Sequence, residues 1–192
     1  MDLIPLIYIK KRKIRIGKKS DPIKLKDFLK LTEDKKKIYI YDIDGLEKDK
    51  PNLCTYQRLS SFLDLWVDNG PRNLGDIVDS TMAGATDITL RKKLSPNLYI
   101  SDIRELTENK IYEYDELDNT NLVFDFDGIV TFNEKGNIES DFKLKEFFKN
   151  MIKKTKVYLY EPNLKNQIFW RNLGVSGLLV DLDKIKEFKN GK

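Results

Sequence analysis

The sequence predicts an α/β fold: a small, degenerate (β/α)8 TIM barrel in a single domain, built from two (βα)4-like halves, residues 1–94 and 95–192. Three observations predict it. Short apolar or aromatic runs alternate with helical patterns, the order that gives a parallel sheet with right-handed crossovers. Several runs are continuously apolar, as expected of parallel strands covered on both faces. Stretches from the two halves also answer one another. Trp66-Val67-Asp68-Asn69-Gly70-Pro71 matches Tyr158-Leu159-Tyr160-Glu161-Pro162-Asn163, and Gly84 through Arg91 matches Gly174 through Asp181.

The elements follow in order. Leu3–Ile9 is the first strand. A helix from Pro22 to Leu31 follows Ser20-Asp21, a capping pair ahead of a proline near the first turn. Lys37–Tyr41, Leu63–Val67 and Asp87–Leu90 are strands two to four, with helices over Thr55–Phe62 and Leu74–Ala83 between them. Leu98–Ser101 is expected as strand five and Lys110–Tyr114 as part of a hairpin. Leu122–Phe126, Lys156–Tyr160 and Gly177–Val180 complete the eight. Asp141–Lys153 and Asn163–Leu173 are helical, and Lys184–Phe188 closes the chain. Trp66, Trp170, Met82 and Met151 are expected to pack in the core.

A chain of 192 residues fits one domain. It contains no histidine and a single cysteine, Cys54, which excludes Ser-His-Asp and Cys-His catalysis, zinc sites that need histidine, and an intrachain disulfide. Acid/base work falls to Asp, Glu, Lys, Tyr or Cys54, and any metal would be a hard ion such as Mg2+ on carboxylates. No apolar run approaches a membrane span, and a cytoplasmic protein is expected. The net charge is +4, from 35 basic and 31 acidic residues. The densest basic stretch runs from Lys10 to Lys19; it reads as a solvated turn or edge, or else as a patch for anions or nucleic acid. No stacking motif accompanies it, so nucleic acid is not an expected partner.

The chain twice carries Asp-x-Asp-Gly at the end of a predicted strand, at Asp42-Ile43-Asp44-Gly45 and Asp125-Phe126-Asp127-Gly128. Side chains two apart on an extended segment point the same way. Each pair is suited to holding Mg2+, orienting substrate hydroxyls or exchanging protons, and equally to capping a helix or making a turn. In a barrel these residues would meet Tyr8, Asp68, Asn69, Arg91, Asp102, Glu161, Asp181 and Asp183 at the carboxy-terminal face, where such folds place their sites. Arg72, Arg91 and Arg104 are the natural counter-charges. The second motif is also similar to the nucleophile motif of haloacid-dehalogenase-type phosphatases, but it lies late in the chain and Ile129 replaces the usual Thr or Val.

Ile4-Pro5-Leu6-Ile7-Tyr8, Tyr41-Asp42-Ile43-Asp44-Gly45 and Asn69-Gly70-Pro71-Arg72 resemble, in their order, the histidine-biosynthesis (β/α)8 barrels. The nearer resemblance is to the phosphoribosylformimino-aminoimidazole-carboxamide ribotide isomerases and their archaeal relatives in methanogens, some linked to C1 cofactor metabolism. The family uses one aspartate ending strand one and another ending strand five. The resemblance puts Tyr8 at the first and Asp102 at the second. Its phosphate-gripping glycine loops become Asn69-Gly70-Pro71-Arg72, Leu90-Arg91, Asp127-Gly128-Ile129 and Glu161-Pro162, which argues against the parent reaction. The candidate catalytic residues are therefore Asp102, Asp42, Asp125 and Tyr8; the candidate substrate-binding residues are Asp44, Asn69, Arg72, Arg91, Arg104, Asp127 and Glu161. The leading expectation is a barrel that binds a small metabolite or Mg2+ in an acidic pocket, with isomerase- or lyase-like chemistry if it is an enzyme. The alternative is a non-catalytic barrel serving as a subunit or regulator, with a filled mouth and a protein partner or a second copy of itself.

Overall fold

The computed structural model describes residues 1–115, 125–132 and 142–190. Their strands are β1 (Asp2–Lys10), β2 (Lys13–Arg15), β3 (Pro22–Ile23), β4 (Lys37–Asp42), β5 (Asp64–Asp68), β6 (Ala85–Leu90), β7 (Lys110–Tyr114), β8 (Gly128–Phe132), β9 (Val157–Tyr160) and β10 (Gly177–Asp181). Eight of these, β1 and β4 to β10, pair in parallel in chain order. Leu3 of β1 lies opposite Leu178 of β10, and Leu6 opposite Asp181, so the sheet closes into a barrel. Helices lie between the strands: α1 (Leu25–Leu31), α2 (Ile43–Lys48), α3 (Leu53–Ser60), α4 (Leu74–Met82), α5 (Ile100–Leu106), α6 (Phe142–Ile152), α7 (Gln167–Leu173) and α8 (Ile185–Asn190). Among the described residues no helix is long and apolar enough to cross a membrane.

The strands explain why their sequences look apolar throughout. In Lys37-Ile38-Tyr39-Ile40-Tyr41, Ile38 and Ile40 pack under the helices while Tyr39 packs inside the barrel. Val157 and Leu159 against Tyr158 and Tyr160 repeat the arrangement in β9. Both faces of a closed parallel sheet are covered, so period-2 alternation separates two kinds of buried residue instead of buried from exposed. The interior is unusually aromatic: the Trp66 ring lies 4.0 Å from Tyr112, 4.8 Å from Tyr158 and 5.2 Å from Tyr39. Buried tyrosine hydroxyls need partners, and that need draws polar groups into the barrel.

Three expectations fail. Leu98–Ser101 is not a strand; α5 starts at Ile100, and Ile100, Ile103 and Leu106 recur at helical spacing, with Ile103 fully buried. Lys110–Tyr114 is not a hairpin but the fifth barrel strand. The sixth strand begins at Gly128, so Asp125 and Asp127 precede it; residues 122–124, where it was expected, lie outside the described residues. Met82 is also misplaced by the sequence, being 77% exposed.

Two glycines close helices before strands in left-handed geometry: Gly84 (φ +97°) after α4 and Gly174 (φ +95°) after α7. A side chain at either position meets the left-handed penalty of about 1–2 kcal/mol. At Gly84 an added Cβ would also collide with the Ser60 side chain, whereas at Gly174 the nearest atom, Ile152 Cγ2, is 3.6 Å away. Gly84→Ala is therefore expected to cost more stability than Gly174→Ala in urea denaturation; equal losses would contradict the packing difference.

Candidate functional site

The first Asp-x-Asp-Gly sits where the sequence puts it, at the end of β4, but every oxygen of Asp42 is already in use. Oδ1 accepts from the Asp44 and Gly45 N–H groups, each at 3.1 Å, and from Asn52 Nδ2 at 2.7 Å. Oδ2 accepts from Asn52 N at 2.7 Å and from the Tyr56 hydroxyl. Asp42 is thus the N-cap of α2 and the anchor for the start of α3. Asp44 accepts from the Lys11 N–H, and Asn52 Oδ1 from Arg12 N at 2.8 Å. Lys11 and Arg12 form the tight turn between β1 and β2, with φ of 51° and 63°. That geometry is uncommon for residues other than glycine, and the Asp44–Asn52 pair pins it. The basic stretch from Lys10 is the tip of this hairpin.

Among the described residues, inward-facing side chains at the ends of the other strands crowd together at the carboxy-terminal mouth. Asp68, fully buried, receives two bonds from Arg91, Nε to Oδ1 at 2.9 Å and Nη2 to Oδ2 at 2.6 Å, and a third from Tyr39 at 2.9 Å. The Arg91 guanidinium lies 3.7 Å from the Tyr114 ring centre and 5.4 Å from that of Tyr41, a cation–π sandwich over a bidentate pair. Across the mouth, Tyr8 donates to Asp181 Oδ1 at 3.0 Å and Tyr160 to Oδ2 at 3.2 Å. Phe132 lies between the two groups, with ring centres 5.0 Å from Tyr160, 5.6 Å from Tyr41 and 5.8 Å from Tyr114. Burial, reinforced by the Asp181 charge, pushes the Tyr8 hydroxyl far above its ordinary value, so it can donate a proton in a hydrogen bond but cannot serve as a base. Burial likewise raises the carboxyls of Asp42 and Asp181, with hydrogen bonds from their neighbours opposing it.

The remaining candidates do not join this cluster. Asp102 is exposed on α5, with Ser101 Oγ at 3.1 Å. Asp125 is exposed in the turn before β8. Asp127 lies at the amino-terminal end of the barrel, accepting from Ile111 N at 2.8 Å and from Arg104 Nη2 at 2.5 Å. The two Asp-x-Asp-Gly motifs therefore occupy opposite ends of the barrel. Arg72 stitches loops together, bonding the Gly70 carbonyl, Leu46 O at 3.2 Å and Asp49 at 3.2 Å. Asn69 is buried and donates to Ser80 Oγ at 2.9 Å. Glu161, fully buried, accepts from Trp170 Nε1 at 2.7 Å, Asn163 N at 2.8 Å and Asn166 Nδ2 at 3.1 Å, tying β9 to α7. Among the described residues no three acidic or cysteine side chains converge so as to hold a metal ion.

Asp127 supplies a pH test. Burial raises its carboxyl, but the Arg104 guanidinium and the Ile111 N–H outweigh this and hold it below the ordinary 3.8. A folded value below the unfolded one stabilises the fold above pH 3.8, and that stability is lost as pH falls through the folded value. The gap in urea midpoint between the protein and Asp127→Asn is expected to narrow on acidification below that point. A gap unchanged with pH would contradict the pairing.

No protein-family model matches the chain, and no curated protein matches it. Phe132, Tyr41, Tyr114 and Tyr160 are the site-forming residues that sequence reasoning missed. The signal for the three tyrosines was the repeated spacing Lys-x-Tyr-x-Tyr in β4, β7 and around β9, which marks inward-facing rings, and Phe132 in β8 carries no such signal. Asp115, which directly follows the true fifth strand, is buried and was also missed.

Proposed function

We propose that the chain is a ribotide-isomerase-like barrel that has lost acid/base catalysis at its carboxy-terminal mouth and serves in the cytoplasm as a non-catalytic subunit or regulator. The observation that carries this reading is the packing at the mouth among the described residues: Phe132 packs among Tyr41, Tyr114 and Tyr160, and the inward-facing Asp68 and Asp181 each accept from neighbouring side chains, Tyr8 among them. Tyr8 stands at an inward position of the first strand with its hydroxyl committed to Asp181. Descent from two half-barrels is supported by Gly84 and Gly174, which close the helices before the fourth and eighth barrel strands in the same left-handed geometry. The Asp-x-Asp-Gly pair does not add to that support. Apolar side chains such as Phe62 (59% exposed) and Tyr99 (64% exposed) leave surface for a protein partner.

The test is an assay of aminoaldose-to-aminoketose isomerisation with the ribotide substrate of the family, run with and without Mg2+. No turnover above background is expected. Turnover abolished by Asp181→Asn in a folded variant would overturn the proposal.

A further inference from the structure

The three Lys-x-Tyr-x-Tyr segments, Lys37 to Tyr41, Lys110 to Tyr114 and Lys156 to Tyr160, have a second consequence at the other end of the barrel. Tyr39, Tyr112 and Tyr158 pack inside, so the same period sets their lysines at the inner amino-terminal rim. There Lys37, Lys110 and Lys156 border a cavity of about 620 Å3 whose walls include Trp66, Tyr112 and Tyr158, a size suited to a small molecule. Glycines on neighbouring strands make the room. An added Cβ at Gly177 would lie 2.9 Å from the Tyr158 ring, and one at Gly128 3.1 Å from that of Tyr112.

The cavity is lined by five lysines against two aspartates, Asp2 and Asp34. Lys37 is held by Asp87 and Lys35 by Asp34, each at 2.7 Å. Lys156 and Lys110 make no ion pair within 4.0 Å of a described carboxylate, although Asp127 lies near enough to Lys110 for their charges to interact. Converging positive charge above a low-dielectric aromatic floor concentrates anions. Asp87 adds a second requirement. It is 1% exposed, its Oδ1 has no hydrogen-bond partner, and it lines an adjoining cavity of about 320 Å3 that shares Lys37 and Lys110. A buried acceptor without a donor is costly, and a ligand hydroxyl or amino group would supply one.

We propose that the amino-terminal mouth binds a small phosphate-bearing molecule, with its phosphate between Lys110 and Lys156 and a hydroxyl or amino donor facing Asp87. The proposal goes beyond the function put forward above and holds whether or not the carboxy-terminal mouth is catalytic.

The protein has two tryptophans, Trp66 in this cavity and Trp170 on α7 against Phe148 of α6, so the indole N–H signals report the site separately. The full chain is titrated with pyrophosphate and with ribose 5-phosphate at matched ionic strength, the signals being assigned through Trp66→Phe. A saturable shift of Trp66 with a dissociation constant of roughly 1 mM or tighter is expected, with Trp170 unmoved. Lys110→Gln and Lys156→Gln are each expected to weaken binding about tenfold, while the doubly substituted hairpin variant Lys10→Gln/Lys13→Gln binds as the parent does. No saturable Trp66 shift with either probe would overturn the proposal. So would undiminished affinity in the Lys110 and Lys156 variants, or an equal loss in the hairpin variant.

Discussion

Asp42→Ala is expected to destabilise the fold by about 3–5 kcal/mol, because five donors lose one acceptor group inside the protein. Each buried donor left unpaired costs about 1–3 kcal/mol, and water entering at the α2 and α3 ends recovers part of the sum. Asp42→Asn keeps one acceptor oxygen and should lose about half as much. Chemical denaturation followed by circular dichroism measures both. A loss below about 1 kcal/mol for Asp42→Ala would mean that the carboxylate is not the joint between β4, α2 and α3, and would return it to the pool of residues held ready for a ligand. The contrast is informative because a catalytic carboxylate removed from an open pocket commonly leaves stability unchanged or improved.

The second large effect is expected at the mouth. Arg91→Met leaves Asp68 charged and 0% exposed with only Tyr39 to satisfy it. Breaking a buried pair from one side typically costs about 3–5 kcal/mol. Adding Asp68→Asn to that variant removes the stranded charge, and the pair of substitutions should be less destabilising than the two single losses added together, by about 1–3 kcal/mol. Additive losses would show that Arg91 and Asp68 do not act as a unit. Tyr41 and Tyr114 flank the guanidinium, so Arg91→Lys is not expected to substitute well. A lysine has no planar fork to match the carboxylate or stack between the rings.

Much of the barrel was legible in the sequence because strands buried on both faces read as apolar runs, and β1, β4, β5, β6, β9 and β10 fall where such runs lie. Strand five was misread because Leu98-Tyr99-Ile100-Ser101 is rich in strand-forming residues over a window too short to reveal period. Extended to Leu106, the same stretch shows helical spacing. Strand six was misread because Asp-x-Asp-Gly resembles a strand end from either direction. Here the Asp127 backbone and carboxylate both bond Ile111, so the motif starts the strand. The candidate site was harder. Composition marked Asp42, Asp68 and Asp181 as polar strand ends, but a carboxylate awaiting substrate and one bound to a neighbour's N–H are identical in sequence. The deciding residue, Phe132, has no chemical signature; only the closure of the barrel brings its ring among Tyr41, Tyr114 and Tyr160.

A titration of the chain, 13C-labelled in its aromatic rings, with Mg2+ and with the ribotide substrate of the isomerases its sequence resembles, read at Tyr8, Phe132 and Tyr160, tests the proposed closed mouth most directly. These signals are expected to stay in place through the titration, even if phosphate moves Trp66 at the far end. Saturable shifts of Phe132 and Tyr160, abolished by Asp181→Asn, would show instead that the mouth opens to a ligand.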